Sequence, residues 1–158
     1  MSARVYAEAV APYRIFTQTP DGTLDPAQLL VQTRRFFEAT VEVLAADADG
    51  VRLSLQSETR GYKGRFVVRV RAVSDRDLEQ ARAAEARGRA AGMSALAARC
   101  AHVWEIESVG EAPVAATLNM CALLASIALG PVLPPDMATL FGVRGAMERV
   151  ERLCQKGD

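Results

Sequence analysis

The chain has few cysteines: Cys100, Cys121 and Cys154 are the only three. They lie far apart in the sequence and form no CxxC pair, so the spacing predicts neither a disulfide framework nor a zinc site. We therefore expect three reduced thiols, mostly buried as small apolar side chains. We expect no metal ion and no other cofactor.

Targeting and membrane signals are also missing from the sequence. The N-terminus has no basic region followed by an apolar run, so it does not resemble a signal peptide. The main apolar run, from Val114 to Leu129, contains Asn119 and is shorter than the roughly 20 residues that a membrane-spanning helix needs. We expect a cytoplasmic protein that does not bind membranes.

The chain carries no excess charge of either sign, because 19 basic residues balance 19 acidic ones. Binding to nucleic acid or to another charged partner must therefore come from a local patch. The positive charge is almost entirely arginine, since Lys63 and Lys156 are the only lysines. Together with the many alanines, this composition indicates a GC-rich coding sequence, and we expect a bacterial source.

Residues that carry catalysis are scarce. His102 is the only histidine, and Cys100 lies two positions before it, on the same face of a predicted strand. A thiolate–imidazole pair or half of a metal site is one interpretation of this spacing. The other is that His102, beside Trp104, is a structural residue of a core-facing strand. No useful carboxylate pair or phosphate-binding loop is present, so Cys100 and His102 are weak candidates and we expect no enzyme.

The clearest positive signal is a β-hairpin formed by Val51–Glu58 and Arg65–Val73, joined by a turn that contains glycines. Strand side chains alternate between two faces, which gives the hairpin one apolar and one basic face. The apolar face consists of Val51, Leu53, Leu55, Phe66, Val68 and Val70. A hairpin alone is marginally stable in water, so further elements must cover the apolar face.

The basic stripe of this hairpin is the strongest candidate binding surface. It consists of Arg52, Lys63, Arg65, Arg69 and Arg71. Arginines along a sheet can contact nucleic-acid phosphates, although RNA-binding sheets normally add exposed aromatic side chains. The alternatives are a solvated or salt-bridged face, a docking surface for an acidic partner, or a face that the C-terminal helices cover.

The order of predicted elements indicates an α+β fold. A weak strand at Arg4–Val10 is followed by a helix that begins at Asp25 and Pro26 and extends to Leu44. After the hairpin, Ser74 and Asp77 have capping-box spacing and begin a long helix, which glycines near position 90 are expected to bend or break. A strand at Ala101–Val109 completes the pattern.

This βαββαβ order is the pattern of a ferredoxin-like sandwich. Both helices would then cover one face of the sheet, and the first strand would lie between the third and the fourth. We expect a single domain over residues 1–158, with the sandwich in 1–110 and a helical segment in 111–158.

The C-terminal helical segment begins with Val114–Leu129, a helix that is apolar on almost every side and must therefore be buried on every side. It either completes the core of its own chain or forms a subunit interface. The residues predicted for that interface are Leu118, Cys121, Leu124 and Ile127. A last amphipathic helix is expected to start at Pro135 or Asp136.

For the function, we expect a non-enzymatic protein-interaction or regulatory module that self-associates as a homodimer through its C-terminal helices and binds another protein. One alternative is an RNA- or DNA-binding accessory protein that uses the basic stripe. Another is a small enzyme or ligand-binding domain with a pocket near His102 and Trp104.

Overall fold

Six strands form one antiparallel sheet in the computed structural model, which describes residues 11–36 and 38–156. Together with five helices in the described residues, they make an α+β fold. In chain order the elements are β1 Tyr13–Thr17, α1 Pro26–Phe36, β2 Thr40–Asp47, β3 Gly50–Ser57, β4 Tyr62–Ala72, α2 Asp75–Gly88, α3 Met93–Ala97, β5 His102–Ser108, α4 Val114–Ala128, β6 Val132–Leu133 and α5 Val143–Lys156.

The strand order is β2-β3-β4-β5-β1-β6, and the expected ferredoxin-like order is not confirmed. β4 pairs directly with β5, with Val68 opposite Ile106, so no strand lies between them. β1 pairs with the other edge of β5, with Ile15 opposite Trp104. The predicted strand at Arg4–Val10 lies outside the described residues, and the first described strand begins at Tyr13.

The prediction of one helix from Pro26 to Leu44 is wrong beyond Phe36. α1 starts as expected, because the Asp25 carboxylate accepts the backbone N–H of Ala27 at 3.0 Å. The helix ends at Phe36, and Glu38 has a left-handed backbone with φ of 40°. Residues 40–47 then form β2, whose Val41 and Val43 pair with Leu55 and Leu53 of β3.

The helices cover both faces of the sheet, so the expectation that they share one face is also wrong. The larger core lies on the face that α1, α4 and α5 cover, and contains Ile15, Leu53, Phe66, Val68, Trp104 and Ile106. On the opposite face, a smaller core places Ala81 and Ala84 of α2 and Ala97 of α3 against Phe16 and Val103. This second core covers the β1 and β5 part of the sheet, and most side chains that β2, β3 and β4 present on that face are exposed.

α2 begins and ends for reasons visible in the sequence. The Ser74 hydroxyl accepts the N–H of Asp77, and the Asp77 carboxylate accepts the N–H of Ser74, which completes the predicted capping box. The predicted break near the glycines is confirmed, because α2 ends at Gly88 and α3 begins at Met93. A Cβ at Gly88 would overlap Thr139, so a close approach between two segments also requires this glycine.

α4 lies in the larger core of the single chain. The four side chains predicted for a subunit interface are all buried there, with Leu118 and Ile127 4 % exposed and Cys121 and Leu124 fully buried. α4 contacts α1, α5 and the strands β1, β3 and β4. The core of the chain itself therefore explains the apolar character of α4, which is one of the two alternatives that its sequence left open.

The last helix starts later than predicted. Instead of a helix from Pro135 or Asp136, the chain forms the short strand β6 and a loop in which Phe141 bridges back to Val132. Met137 in that loop has a left-handed backbone with φ of 53°, which a helix does not allow. α5 then begins at Val143. In the described part of the chain, no helix combines the length and hydropathy needed to cross a bilayer.

Truncation of Leu124 to alanine tests whether α4 belongs to the core of the single chain. We expect Leu124→Ala to lower the free energy of unfolding by about 2–5 kcal/mol, because it leaves a cavity in a fully buried site. If one chain alone completes the core around α4, the unfolding midpoint of the wild type should not depend on protein concentration, because unfolding of that core separates no subunits. Chemical denaturation at two concentrations measures both quantities.

The control for this variant is Val31→Ala on α1, because Val31 is 55 % exposed. It should change the free energy of unfolding by less than about 0.5 kcal/mol. A midpoint that rises with protein concentration would contradict the assignment of α4 to the core of one chain.

Candidate functional site

The basic stripe lies on β3 and β4, but its members fall into two groups. Arg71 and Arg69 have acidic partners on neighbouring elements. Arg52, Lys63 and Arg65 are exposed and form no ion pair or side-chain hydrogen bond with the residues that the structure describes. Only the second group has charges available for a partner.

Arg71 belongs to a buried network centred on Asp77. Its guanidinium donates to both carboxylate oxygens of Asp77, at 2.6 and 2.8 Å, and its Nε donates to Glu105 at 2.9 Å. Arg14 of β1 donates to Asp77 from another side, at 2.9 Å. The Asp77 side chain is 2 % exposed, so this carboxylate joins α2 to β1 and β4 inside the protein.

The electrostatics of Asp77 show that it is ionised in the fold. Burial acts to raise the pKa of its carboxyl, but hydrogen bonds from Arg71, Ser74 and Arg14 outweigh it and hold the pKa well below its usual range. The hydrogen bonds of Arg71 to Asp77 and to Glu105 raise the pKa of Arg71. A buried carboxylate with these donors is a structural junction, so Arg71 is not available to bind a partner.

The open face is the part of the sheet that α2 and α3 leave uncovered. Its side chains come from β2, β3, β4 and the end of β5, and they are Glu42, Leu44, Arg52, Ser54, Gln56, Lys63, Arg65, Val67, Arg69, Glu107 and Val109. Arg69 pairs with Glu107 at 3.5 Å, but both side chains are nearly half exposed, so the pair is weak.

Two apolar side chains lie among the free cations. Leu44 is 50 % exposed and Val109 is 44 % exposed. They line a shallow groove of about 620 Å³ together with Lys63 and Arg65, and with Glu42 and Glu111 at its margin. The groove therefore combines apolar contact area with unpaired positive charge.

Sequence reasoning missed the role of Leu44 because it placed this residue in α1. The sequence signal for β2 is the apolar–polar–apolar alternation of Val41, Glu42 and Val43. In the structure Val41 is buried, and Glu42 and Leu44 are exposed. The apolar residues of this window also continue the helical spacing that starts at Leu30, so periodicity alone did not distinguish a strand from a helix.

The candidate catalytic pair is not brought together. The Cys100 thiol donates to the carbonyl of Leu96 at 3.5 Å and packs in the smaller core, and burial raises its pKa to about 11. His102 contacts Gly22 on the other side of the sheet, where a Cβ would lie 2.6 Å from its ring. Its Nδ1 is buried without a hydrogen-bond partner among the described residues. No hydrogen bond joins the two side chains.

Trp104 is a core residue that supports a cleft without lining it. Its indole N–H donates to the carbonyl of Gly22 at 2.6 Å, which holds the Asp21–Pro26 loop against the sheet. This loop and the turn between β2 and β3 enclose a cleft of about 740 Å³ with an apolar floor that includes Val68 and Val70. Neither His102 nor Trp104 lines this cleft, so the pocket predicted near these two residues stays a prediction.

Comparisons of the chain with protein-family models, with curated proteins and with solved structures found no match.

Replacement of Asp77 by asparagine tests the buried network. We expect Asp77→Asn to lower the free energy of unfolding by about 3–5 kcal/mol near pH 7, because it leaves the buried guanidinium of Arg14 without its counter-charge. The folded-state pKa of Asp77 is lowered, so its contribution is present above the unfolded-state pKa near 4 and is lost as the pH falls below it. Denaturation from pH 7 to pH 3 should therefore show the difference between variant and wild type shrinking.

The matched control is Glu107→Gln, which removes the exposed pair with Arg69. It should cost less than about 1 kcal/mol and show little pH dependence. Equal losses for the two variants would contradict the central role of Asp77.

Proposed function

We propose that this protein is a non-enzymatic interaction module that binds an acidic, partly apolar segment of another protein on its open face. The observation that supports this proposal is the placement of three exposed cations without partners, Arg52, Lys63 and Arg65, around the exposed apolar side chains Leu44 and Val109. Carboxylates of a partner would pair with the cations, and its apolar side chains would cover Leu44 and Val109.

Charge complementarity favours an acidic partner over a basic one. Across the open face and its groove, the four cations Arg52, Lys63, Arg65 and Arg69 exceed the three carboxylates Glu42, Glu107 and Glu111 by one charge. Electrostatic complementarity raises association rates and selects against partners of the wrong sign. The exposed apolar area adds affinity that a purely charged contact does not provide.

Nucleic acid is a weaker candidate for the same surface. Single-stranded RNA and DNA bind sheets through aromatic side chains on which the bases stack. Among the described residues, the open face presents no aromatic side chain, because Tyr62 and Phe66 of β4 are buried in the larger core on the other side of the sheet.

Self-association stays a prediction without an assigned surface, since the side chains proposed for it are buried within one chain. An enzymatic function has less support. Burial raises the pKa of the Cys100 thiol, and this thiol donates its hydrogen bond to the Leu96 carbonyl and not to His102.

The proposal is tested with a synthetic peptide of alternating aspartate and leucine, titrated into labelled protein and followed by amide chemical shifts. We expect saturable shifts on β2, β3 and β4. Arg65→Glu should weaken binding about tenfold, because the reversal removes an exposed ion pair worth up to about 1 kcal/mol and adds a repulsion of similar size. Leu44→Ser should also weaken binding without a loss of stability, since Leu44 is half exposed.

The matched control is Arg76→Glu, which reverses an equally exposed arginine on α2, away from the open face. It should bind the peptide like the wild type. A peptide with serine in place of leucine should bind more weakly than the original. The proposal fails if Arg65→Glu and Arg76→Glu bind equally, or if single-stranded DNA binds more tightly than the peptide with a steep salt dependence.

A further inference from the structure

A second candidate binding site is a small pocket beneath α5, on the helix-covered side of the sheet and therefore opposite the open face. Its volume is about 220 Å³, and its walls include Tyr13 of β1, Leu118 of α4, Asp136 and Phe141 of the loop before α5, and Arg149 of α5. A pocket of this size has room for several water molecules or for a small ligand.

Arg149 is held in one position in this pocket. Its guanidinium lies over the Phe141 ring, 4.2 Å from the ring centroid, and its Nη1 donates to the carbonyl of Gly145 at 3.0 Å. Gly145 allows this arrangement, because a Cβ at that position would lie 2.7 Å from the Cβ of Phe141. A guanidinium that is already immobilised loses little further entropy when it binds a ligand.

The guanidinium of Arg149 is not in direct contact with a carboxylate. It forms no ion pair with any carboxylate of residues 11–36 and 38–156. Burial and the charge of Arg152 lower its pKa, while the more distant charges of Glu148 and Asp136 act in the opposite direction. Tyr13 lines the same pocket, and its hydroxyl forms no hydrogen bond within the described residues. The pocket therefore contains a guanidinium, a hydroxyl and the Asp136 carboxylate, and neither donor is paired with that carboxylate.

The chemistry of the remaining wall narrows the ligand class. A fixed guanidinium matches a carboxylate through two parallel hydrogen bonds. Asp136 lies at the exposed side of the pocket, and one of its oxygens accepts the N–H of Ala138 at 3.0 Å. A ligand with negative charge alone would be repelled by Asp136, whereas an amino group next to the carboxylate would be attracted to it.

We propose that this pocket binds a small α-amino acid, with its carboxylate on Arg149 and Tyr13 and its ammonium group towards Asp136. The apolar walls, Leu118 and Phe141, then accommodate a short side chain. This inference does not depend on the proposed function of the open face.

The test uses L-alanine as the probe, with acetate and ethylamine as matched single-charge ligands at the same pH and ionic strength. Amide chemical shifts of residues 136–149 are followed during each titration. Alanine should give saturable shifts in the millimolar range, and acetate and ethylamine should each bind at least about tenfold more weakly, because each lacks one charge-assisted contact.

Variants separate the two halves of the site. Arg149→Gln should abolish the response to alanine and to acetate, while Asp136→Asn should weaken alanine binding and leave acetate binding unchanged or stronger. Arg144→Gln, an exposed arginine on the same helix, is the control and should bind like the wild type. If Arg149→Gln is unstable, Arg149→Lys keeps the charge without the planar fork and should still weaken alanine binding.

Three outcomes would overturn the proposal. One is the absence of saturable shifts with alanine in the wild type. Another is acetate binding as tightly as alanine, which would mean that the amino group is not recognised. The third is an unchanged response in a folded Arg149→Gln variant.

Discussion

The burial of α4 is the constraint on which the rest of the structure depends. A helix that is apolar on every side is stable in water only if other elements surround it. Here the sheet supplies one side, through β1, β3 and β4, and α1 and α5 supply the others. Even Asn119, at the centre of α4, is fully buried and donates to the hydroxyl of Tyr62 at 2.6 Å. The part of the sheet face under α4 therefore belongs to the core.

The second face of the sheet is left to α2 and α3, which cover only part of it. Asp77 anchors the beginning of α2 by accepting hydrogen bonds from Arg14 of β1 and Arg71 of β4. This junction keeps α2 over one side of the sheet. Because no other described helix lies over the side chains of β2 and β3 on that face, the cations of the open face remain exposed. The free charges and the buried network thus follow from the same arrangement.

The parts of the fold that the sequence predicted are those with local signals. The hairpin alternates apolar and polar residues, Ser74 and Asp77 have capping-box spacing, and Val114–Ala128 is apolar on every side. β2 was missed because its apolar residues continue the spacing of α1. The strand order was missed because periodicity within a strand says nothing about its neighbours.

The candidate sites also contain some features that local sequence patterns reveal and others that they do not. The basic stripe is visible as alternation on β3 and β4. Arg71 and Arg65 are the same residue type on the same strand, so the sequence does not show that Arg71 pairs with Asp77 while Arg65 has no acidic partner. Asp77 pairs with Arg71 and not with Arg65. In the sequence, Asp77 is marked only by its capping-box spacing after Ser74, which does not reveal the pairing. The Arg149 pocket depends on Tyr13, Asp136 and Phe141, which are distant in sequence or lie in a loop without a periodic pattern. Long-range pairing of this kind is not encoded in local spacing.

Native-state hydrogen exchange of the α4 amides tests the central claim most directly. If α4 is the core of a single chain, the amides of residues 118–128 exchange only when the whole chain unfolds. Their exchange free energy should then equal the free energy of global unfolding and should not change with protein concentration. Exchange of these amides through a smaller opening, or protection that increases with concentration, would contradict the account and return α4 to a subunit interface.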